Sequence, residues 1–506
     1  MKAILILGAL APTVTLSLSN VRPVRRVAVI GSGISGLAVA HALTNSPCLE
    51  DQYALNSSFD VSLFDARSKL DPTAGAGIQL NGGLVVLGRI NPALQQTVMD
   101  AGLLQTGVRS RCKPWNPASP FDTLLDLDLL KTVQNAGSDV SNALIREGKL
   151  VWTSIMRGAL QEALYGALPS NVRQNVQFGK VLVDLRSVRE GGIECLFSDG
   201  SVAGPFDVVV GCDGIKSACK EYVENGRILP KDAKREGDSV AVYSGLRIRY
   251  AVKDGNSEEK QAETATLSQY FGEGAYGLDG IYGAGPGQPH TKCAFLVYLD
   301  PDYVGPFKKK RARLESKPSV DENADWTQDV RKSIEVARET MLDQTKSLGV
   351  PDTDLSPTIS AADRFFELGV YFHNPFSTQG WSREMTDSKG GSVVLCGDAA
   401  HALPPFLGQG SNQAIQDAYC LAKQLYAYNA EIEQGRDANL NAMLKDYENT
   451  RWPSTFGIFW KSTFLGYLET GGEDGLYARF RDVFFKTMGA VGIAEWVLIS
   501  AAKPKI

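Results

Sequence analysis

The stretch RVAVIGSGISGLAVAHALTN at positions 26–45 restricts the fold more than any other part of the chain. An apolar run suited to a buried strand passes straight into glycines spaced G-x-G-x-x-G, and a helical apolar pattern starts at once. A helix entered this way aims its unpaired N–H groups and the positive end of its dipole at the turn, where an anion is favoured. Gly31 permits the tight turn, Gly33 lets a pyrophosphate approach the backbone, and Gly36 allows helix and strand to pack closely. Ile34 and Ser35 open the helix at its positive end and are counted with the binding turn. The second strand, FDVSLFDA, ends in Asp65, a carboxylate able to accept hydrogen bonds from ribose hydroxyls and to repel a 2′-phosphate. The nucleotide expected here is therefore FAD or NAD rather than NADP. The polar insertion SPCLEDQYALNSS explains the long interval from turn to carboxylate, and Arg67 follows two residues on.

Two later segments repeat the strand-then-turn arrangement. DVVVGCDGIKSACK, at 207–220, is a buried strand ending in Asp213-Gly214. SVVLC, at 392–396, is a second, followed by GDAAHALPPFLGQGSNQAIQDA at 397–418. Asp and Gly are common turn formers, so one such combination says little. Three in this order and at these separations point to a single dinucleotide site. The last has two prolines that stiffen its loop, glycines at 408 and 410 that let the backbone come close, and a helix predicted from about Ser411.

Other chemistries lack their residues. The eight cysteines contain no C-x-x-C, the four histidines are scattered, and no metal site is expected. G-x-S-x-G and the phosphate-binding G-x-x-x-x-G-K-[ST] are both missing. A net charge of −5 with scattered basic residues excludes a nucleic-acid footprint, and the basic run KKKRAR at 308–313 reads as a solvated loop or helix face. The first twenty residues, with Lys2 ahead of AILILGALAPTVTLSLS, have the layout of a signal peptide, the start of a secretory or plastid address.

With these motifs in place, the sequence resembles the single-component FAD-dependent monooxygenases, the family of aromatic hydroxylases and plant-type zeaxanthin epoxidases. Their pattern is G-x-G-x-x-G, a mid-chain Asp-Gly, and a later Gly-Asp-x-x-H-x-x-x-P; all are present, and the likeness runs from about residue 25 to 450. Two positions depart from it: Asp65 stands where Glu is usual, and Lys220 where Arg is usual, losing the bidentate geometry of a guanidinium. The resemblance implies an α/β fold, with a Rossmann-like FAD-binding domain in two parts (24–235 and 361–440), an antiparallel-sheet substrate domain (236–360) and a helical C-terminal region (441–506). It implies that Gly31, Gly33, Gly36, Asp65 and Arg67 hold the ADP half of FAD, that Arg157 packs near the flavin and ribityl chain, and that Asp213 serves the pyrophosphate region. Gly397 and Asp398 would serve the ribityl chain, and the loop Pro404, Pro405, Gly408, Gln409, Gly410, Ser411 and Asn412 would face the ring, with Gln413 a further contact. His401 reads as structural rather than as an acid or base, and no catalytic side chain is named. NAD(P)H would dock transiently and reduce FAD, O2 would add to give a flavin hydroperoxide, and one oxygen atom would pass to a small aromatic or hydrophobic substrate.

Local patterns add further expectations. Residues 151–170 read as an amphipathic helix, 239–298 as antiparallel strands, and 306–358 as charged and helical. Tyr243, Tyr270, Phe271, Phe295 and Tyr298 could roof a hydrophobic pocket or be ordinary sheet core. Trp452, Phe456, Phe459, Trp460, Phe464 and Tyr467 form a stripe at near-helical spacing, either core or a greasy surface for peripheral membrane contact. An aromatic acid and a carotenoid-like alkene both remain open as substrates. So does a non-oxygenating flavin enzyme, although the W-x-W-x-I of flavin halogenases is absent.

Overall fold

The fold was obtained as a computed structural model describing residues 22–45, 58–71, 75–113, 121–189, 191–230, 240–258, 260–301, 329–377, 379–385, 391–470 and 475–506. The targeting segment at 1–20, most of the polar insertion and the KKKRAR run lie outside the described residues. In chain order, β1 (Arg26–Ile30), α1 (Ile34–Thr44), β2 (Asp60–Asp65), β3 (Gly77–Leu80), α2 (Gly82–Ile90) and β4 (Leu103–Cys112) come first. Then follow β5 (Thr153–Met156), α3 (Arg157–Gly166), β6 (Val176–Phe178), β7 (Val208–Gly211), α4 (Ala218–Asn225) and the long strands β8 (Val242–Lys253), β9 (Ala265–Phe271), β10 (Ala275–Tyr282) and β11 (Thr291–Leu299). The remainder comprises α5 (Asp329–Ser347), β12 (Arg364–Phe372), β13 (Ser382–Glu384), β14 (Ser392–Leu395), α6 (Gly410–Glu433), α7 (Leu440–Thr470), α8 (Gly475–Ala490) and α9 (Ile493–Ala502).

The first sheet has the order β13-β14-β7-β1-β2-β6, parallel except where β13 joins the edge of β14. VVVG and SVVL are buried at every position, as befits parallel strands covered on both faces. The register pairs Ile30 with Gly211 and Gly211 with Leu395. All three motif turns therefore leave the sheet at one level, at the carboxyl ends of adjacent strands, where open α/β sheets bind ligands.

The second sheet runs β12-β8-β11-β10-β9-β4-β5-β3, with residues 122–128 paired to β4. The antiparallel pairing of β8 with β11 follows the period-two pattern of both segments. This sheet takes β3, β4 and β5 from before residue 236 and β12 from after 360, so it crosses both of the expected domain boundaries. The helix expected over 151–170 is corrected: Thr153–Met156 is a strand and only Arg157–Gly166 is helical. β-Branched Val151, Thr153 and Ile155 suit a strand, and β5 pairs with both β3 and β4. The outer face of this sheet is covered by helical residues Met341, Leu355 and Ile359, which pack on Ala251, Tyr270 and Leu296.

The C-terminal region is helical, as its pattern suggested. The end of α7 and the start of α8 bury a polar group against the second sheet. Arg481 donates to Asp482 at 2.8 Å and to the carbonyl oxygens of Gly272 and Glu469, while the buried Glu469 carboxyl lies against the Tyr276 hydroxyl. Burial raises the Glu469 pKa to about 8, opposed by Tyr276 and Arg481.

Candidate active site

The three glycines of the first turn are held by different neighbours. Gly31 has φ +100°, and a Cβ there would lie 2.4 Å from the Cys212 carbonyl oxygen. A Cβ on Gly36 would lie 1.9 Å from the Gly31 carbonyl oxygen. Gly33 has extended backbone (φ −69°, ψ −175°), and a Cβ there would meet nothing within 4 Å. Protein packing thus accounts for the first and third glycines, whereas the second borders open space. The first helical hydrogen bond of α1 runs from the Leu37 N–H to Gly33, and no side chain caps the helix. The N–H groups of Ile34, Ser35 and Gly36 precede that bond and suit a pyrophosphate above Gly33. The Ser35 side chain turns away, its Oγ 3.2 Å from Cys396 Sγ.

Asp65 does not stand free to receive a ribose, contrary to the sequence reading. Its buried carboxylate accepts from the Ser32 N–H (2.8 Å) and hydroxyl (2.7 Å), and from the Arg67 N–H (2.8 Å), Nε (3.0 Å) and Nη2 (2.9 Å). Burial pushes its pKa up, but the bonds from Arg67 and Ser32 outweigh that and hold it at about 2. The Arg67 side chain is 38% exposed against 6% for Asp65, so the accessible surface here belongs to Arg67. Gln161 closes the ring, accepting from Arg67 and donating to the Ser32 carbonyl at 2.6 Å. Gln161 carries no local sequence signal.

Asp213 is likewise redirected. Its carboxylate accepts from the Ser217 hydroxyl at 2.5 Å and the Cys219 N–H at 3.1 Å, inside its own turn at the start of α4. The backbone of Cys212 and Asp213, not the carboxylate, borders Gly31. Lys220 is buried in an ion pair with Glu224 at 3.1 Å.

Asp398 differs from these. It is exposed between buried Gly397 and Ala399, and no described residue hydrogen-bonds its carboxylate. The dense surroundings raise its pKa, while the charges of His401 and Arg157 oppose the rise. Arg157 is exposed at the first position of α3, its stem against Gly75, and its field reaches Asp398. An accessible carboxylate lacking donors fits the hydroxyls of a ribityl chain. With the opening at Gly33, this is what FAD requires of the site.

The proline-glycine loop is braced from behind. Pro405–Leu407 form a 3-10 turn, Gly408 has φ +61°, and α6 begins at Gly410. The Ser462 hydroxyl donates to the Pro404 carbonyl at 2.6 Å, and the Phe406 ring sits where a side chain on Gly466 would be. Asn412 is not a side-chain contact for the ring: its Oδ1 accepts from the N–H groups of Asn81 (2.9 Å) and Gly83 (3.0 Å), and its Nδ2 donates to Gln79 and Gly408. Gln413 accepts from Arg451 at 2.5 Å and also faces away. Gln409 is buried and donates to the Leu407 carbonyl at 3.3 Å. What the loop offers is backbone. The N–H groups of Gly410, Ser411 and Asn412 precede the first hydrogen bond of α6, from Gln413 to Gln409.

Behind the loop, His401 Nε2 lies 2.5 Å from Asp417 Oδ2, and Arg451 Nε donates to Asp417 Oδ1 at 2.7 Å. Asp417 and Arg451 are fully buried, and the Gly397 N–H donates to the same carboxylate at 3.1 Å. Burial pushes the Asp417 pKa up, but His401 and Arg451 bring it down to about 2. Neither Asp417 nor Arg451 was named from the sequence.

Opposite, the inner face of the second sheet presents a cross-strand row. Phe366 pairs with Tyr250, Tyr250 with Phe295, and Phe295 with Leu278. Tyr250 stacks on Phe366 (4.5 Å, 13°) and meets Phe295 edge-on at 5.2 Å. At one end, the Tyr282 ring fills the space over Gly77. Of the aromatics named from the sequence, Phe271 and Phe295 share this face. Tyr270 and Tyr298 are on the other, and Tyr243 donates to Asp300 at 2.5 Å.

A parallel sheet whose three central strands converge on an anion-ready turn and a donor-hungry carboxylate, roofed by a mixed, largely antiparallel sheet, defines a flavoprotein of the aromatic hydroxylase fold. Residues 373–455 match the family model described as FAD binding domain. A salicylate hydroxylase of Pseudomonas putida is 26% identical over 442 residues, 85% of this chain and 82% of the relative. A 3-amino-4-hydroxybenzoate 2-monooxygenase of Streptomyces platensis is 24% identical over 490 residues, 96% and 98% of the two chains. The structure of Klebsiella pneumoniae HpxO complexed with FAD and uric acid shares the fold, with TM-score 0.63 and 18% identity over 94% of this chain and 97% of that one. Over most of its length the chain is similar to single-component FAD-dependent monooxygenases, and it is an FAD-dependent oxidoreductase.

Proposed function

We propose that the enzyme places one atom of O2 on an uncharged aromatic or otherwise hydrophobic substrate held beneath the row Phe366–Tyr250–Phe295–Leu278. The observation that carries this reading is the chemistry of the roof. The row is aromatic and aliphatic, and so is the next toward α7, Leu368–Ile248–Val297–Tyr276. Arg364 lies on the same face at the end of β12, but Asp254 takes its Nε (3.1 Å) and Nη2 (2.6 Å). A substrate carboxylate would have to displace Asp254 to win that arginine, and would otherwise sit desolvated against aromatic rings.

The Gly33 opening and the first turn of α1 would hold the pyrophosphate of FAD, Asp398 the ribityl hydroxyls, and the first turn of α6 the pyrimidine edge. FAD, when bound, supplies electron transfer from NAD(P)H and the activation of O2. The chain's own part is to bind and orient. The roof excludes water, and the Tyr250 hydroxyl, which bonds to no described residue, is free to donate to a substrate oxygen. A substrate of this kind partitions into lipid, and the reading includes peripheral membrane contact through the aromatic C-terminal region.

The test pairs benzoate-type acids with their methyl esters and adds neutral polycyclic phenols and solubilised carotenoids. It follows O2-dependent NAD(P)H oxidation and product mass. Neutral members are expected to stimulate oxidation and to gain one oxygen. For substrates bearing an oxygen acceptor, Tyr250→Phe should raise KM by about tenfold, as one lost hydrogen bond implies. An acid turned over faster than its ester would overturn the reading.

A further inference from the structure

The molecule's most unusual surface lies on the last three helices. Of the large apolar side chains left exposed among the described residues, half fall between positions 460 and 496. The most exposed are Phe464 at 56%, Phe480 at 61%, Val491 at 62% and Trp496 at 61%. Contacts connect the aromatic ones across the three helices. Phe464 on α7 meets Phe484 on α8 at 6.2 Å, Phe484 meets Phe480 at 6.3 Å, and Lys461 Nζ lies 4.7 Å over the Trp496 ring of α9. A monomeric protein rarely leaves so large an apolar patch open to water without a partner for it.

Two observations indicate the partner. The first is charge. From residue 459 on, the accessible described charges are Lys461, Arg479, Lys486 and Lys505 against Glu495, with Lys503 paired to Asp139 and with Glu469, Arg481 and Asp482 buried. Glu473 and Asp474 lie outside the described residues. The chain as a whole is acidic, at −5, so the aromatic face and its basic border stand out from the rest of the surface. The second is shape. Among the described residues no single helix is long and apolar enough to cross a membrane, while α8 and α9 together are apolar enough but bend by 77° at their junction. Two short helices carrying exposed Phe and Trp, bordered by lysines whose stems reach along apolar surface, match elements that lie in the headgroup region of a bilayer.

We propose that the end of α7 with α8 and α9 forms a docking face that seats on an anionic lipid surface without crossing it. This rests in part on the proposed hydrophobic substrate and names the surface from which it would come. The geometry connects the two. The helix that turns Trp460 and Phe464 outward also holds the Pro404 carbonyl through Ser462 and the Ser244 carbonyl, at the start of β8, through the Tyr467 hydroxyl at 2.6 Å. Docking there would seat the bilayer on the helix that braces both the proline-glycine loop and the roof.

The experiment is flotation of the full chain, loaded with FAD, with vesicles of phosphatidylcholine and phosphatidylglycerol (7:3) and with pure phosphatidylcholine. The double variant Phe480→Ser, Trp496→Ser is run beside wild type. Wild type should float with the anionic vesicles, at least tenfold less with neutral ones, and lose most binding in 0.5 M NaCl. The double variant should lose at least tenfold in binding while keeping its melting temperature, flavin spectrum and basal NAD(P)H oxidation. Lysine variants Lys486→Gln and Lys505→Gln, which spare the apolar face, should weaken only the anionic-vesicle binding. Vesicle binding unchanged by the double variant would overturn the proposal, because attachment would then lie elsewhere in the chain. A wild-type dimer that becomes monomeric in the double variant, with no vesicle binding by either, would also overturn it and assign the face to a second copy. Vesicle binding needs no turnover, so it can succeed where the substrate reading fails, and the two failures remain distinguishable.

Discussion

Gly31 and Gly33 look equivalent in the sequence, yet they answer to different neighbours. Gly31 needs its positive φ and the absence of a Cβ to clear Cys212, whereas Gly33 has backbone angles open to any residue and faces empty space. Gly33→Ala should therefore leave the apo protein within about 0.5 kcal/mol of wild-type stability while weakening FAD binding by at least tenfold. Gly31→Ala should destabilise the apo protein by roughly 2–4 kcal/mol. Apo melting and fluorescence titration with FAD separate the two effects. An unchanged FAD affinity in Gly33→Ala would remove the pyrophosphate from this turn. The glycines were legible because strand, turn and helix are contiguous. The occupation of Asp65 by Arg67 and Ser32 was not, since a sequence shows which groups can accept a hydrogen bond but not which donors reach them first. Asn412 illustrates the same limit: three of its four side-chain bonds depend on Gln79, Asn81 and Gly83, more than three hundred residues earlier in the chain.

At the scale of elements, α6 and α7 are joined by one buried charge pair. Arg451 on α7 reaches Asp417 and Gln413 on α6, and Asp417 in turn holds His401 and the Gly397 N–H. Arg451→Met would leave Asp417 buried with only His401 and that N–H, and should cost roughly 3–5 kcal/mol. The loss should grow less severe below about pH 4, where protonation of the abandoned carboxylate relieves it; chemical denaturation at pH 7 and pH 4 checks both. In wild type the sign is ordinary for a depressed carboxyl. The stability Asp417 contributes is present above the unfolded value near 3.8 and is lost as pH falls through its folded value of about 2. Helices and strands with sustained periodicity were readable. The error at 151–170 arose because Ile155, Leu160, Leu164 and Leu168 happen to fall near helical spacing, while pairing with β3 and β4 decides the matter for Thr153–Met156. The sequence left open which of Tyr270, Tyr298 and the other sheet aromatics face inward for a related reason: which parity of a strand faces inward is set by its neighbours, not by the strand itself.

At the scale of the molecule, the C-terminal helices meet the second sheet through a carboxyl that prefers to be neutral. The folded pKa of Glu469, about 8, lies above the free value of 4.5. Between those values the folded chain keeps a proton that the unfolded chain has lost, so this group's contribution to stability falls as pH rises and levels off above 8. Glu469→Gln, which keeps the neutral shape, should gain on wild type between pH 5 and pH 8 by on the order of 1–3 kcal/mol. Denaturant midpoints at the two pH values test this, and a pH-independent difference would place the charged form in the fold.

The interleaving of the two sheets also limits how this chain can change. Strands within 26–65, at 176–178, at 208–211 and within 382–395 build one sheet, and 77–156, 242–299 and 364–372 supply the strands of the other, so the path crosses between them repeatedly. Neither layer exists as an excisable stretch. A lineage acquiring a new substrate could not import a foreign roof by recombination at one or two breakpoints. It would have to rewrite the inner-facing positions one codon at a time, with every intermediate still able to fold around its nucleotide.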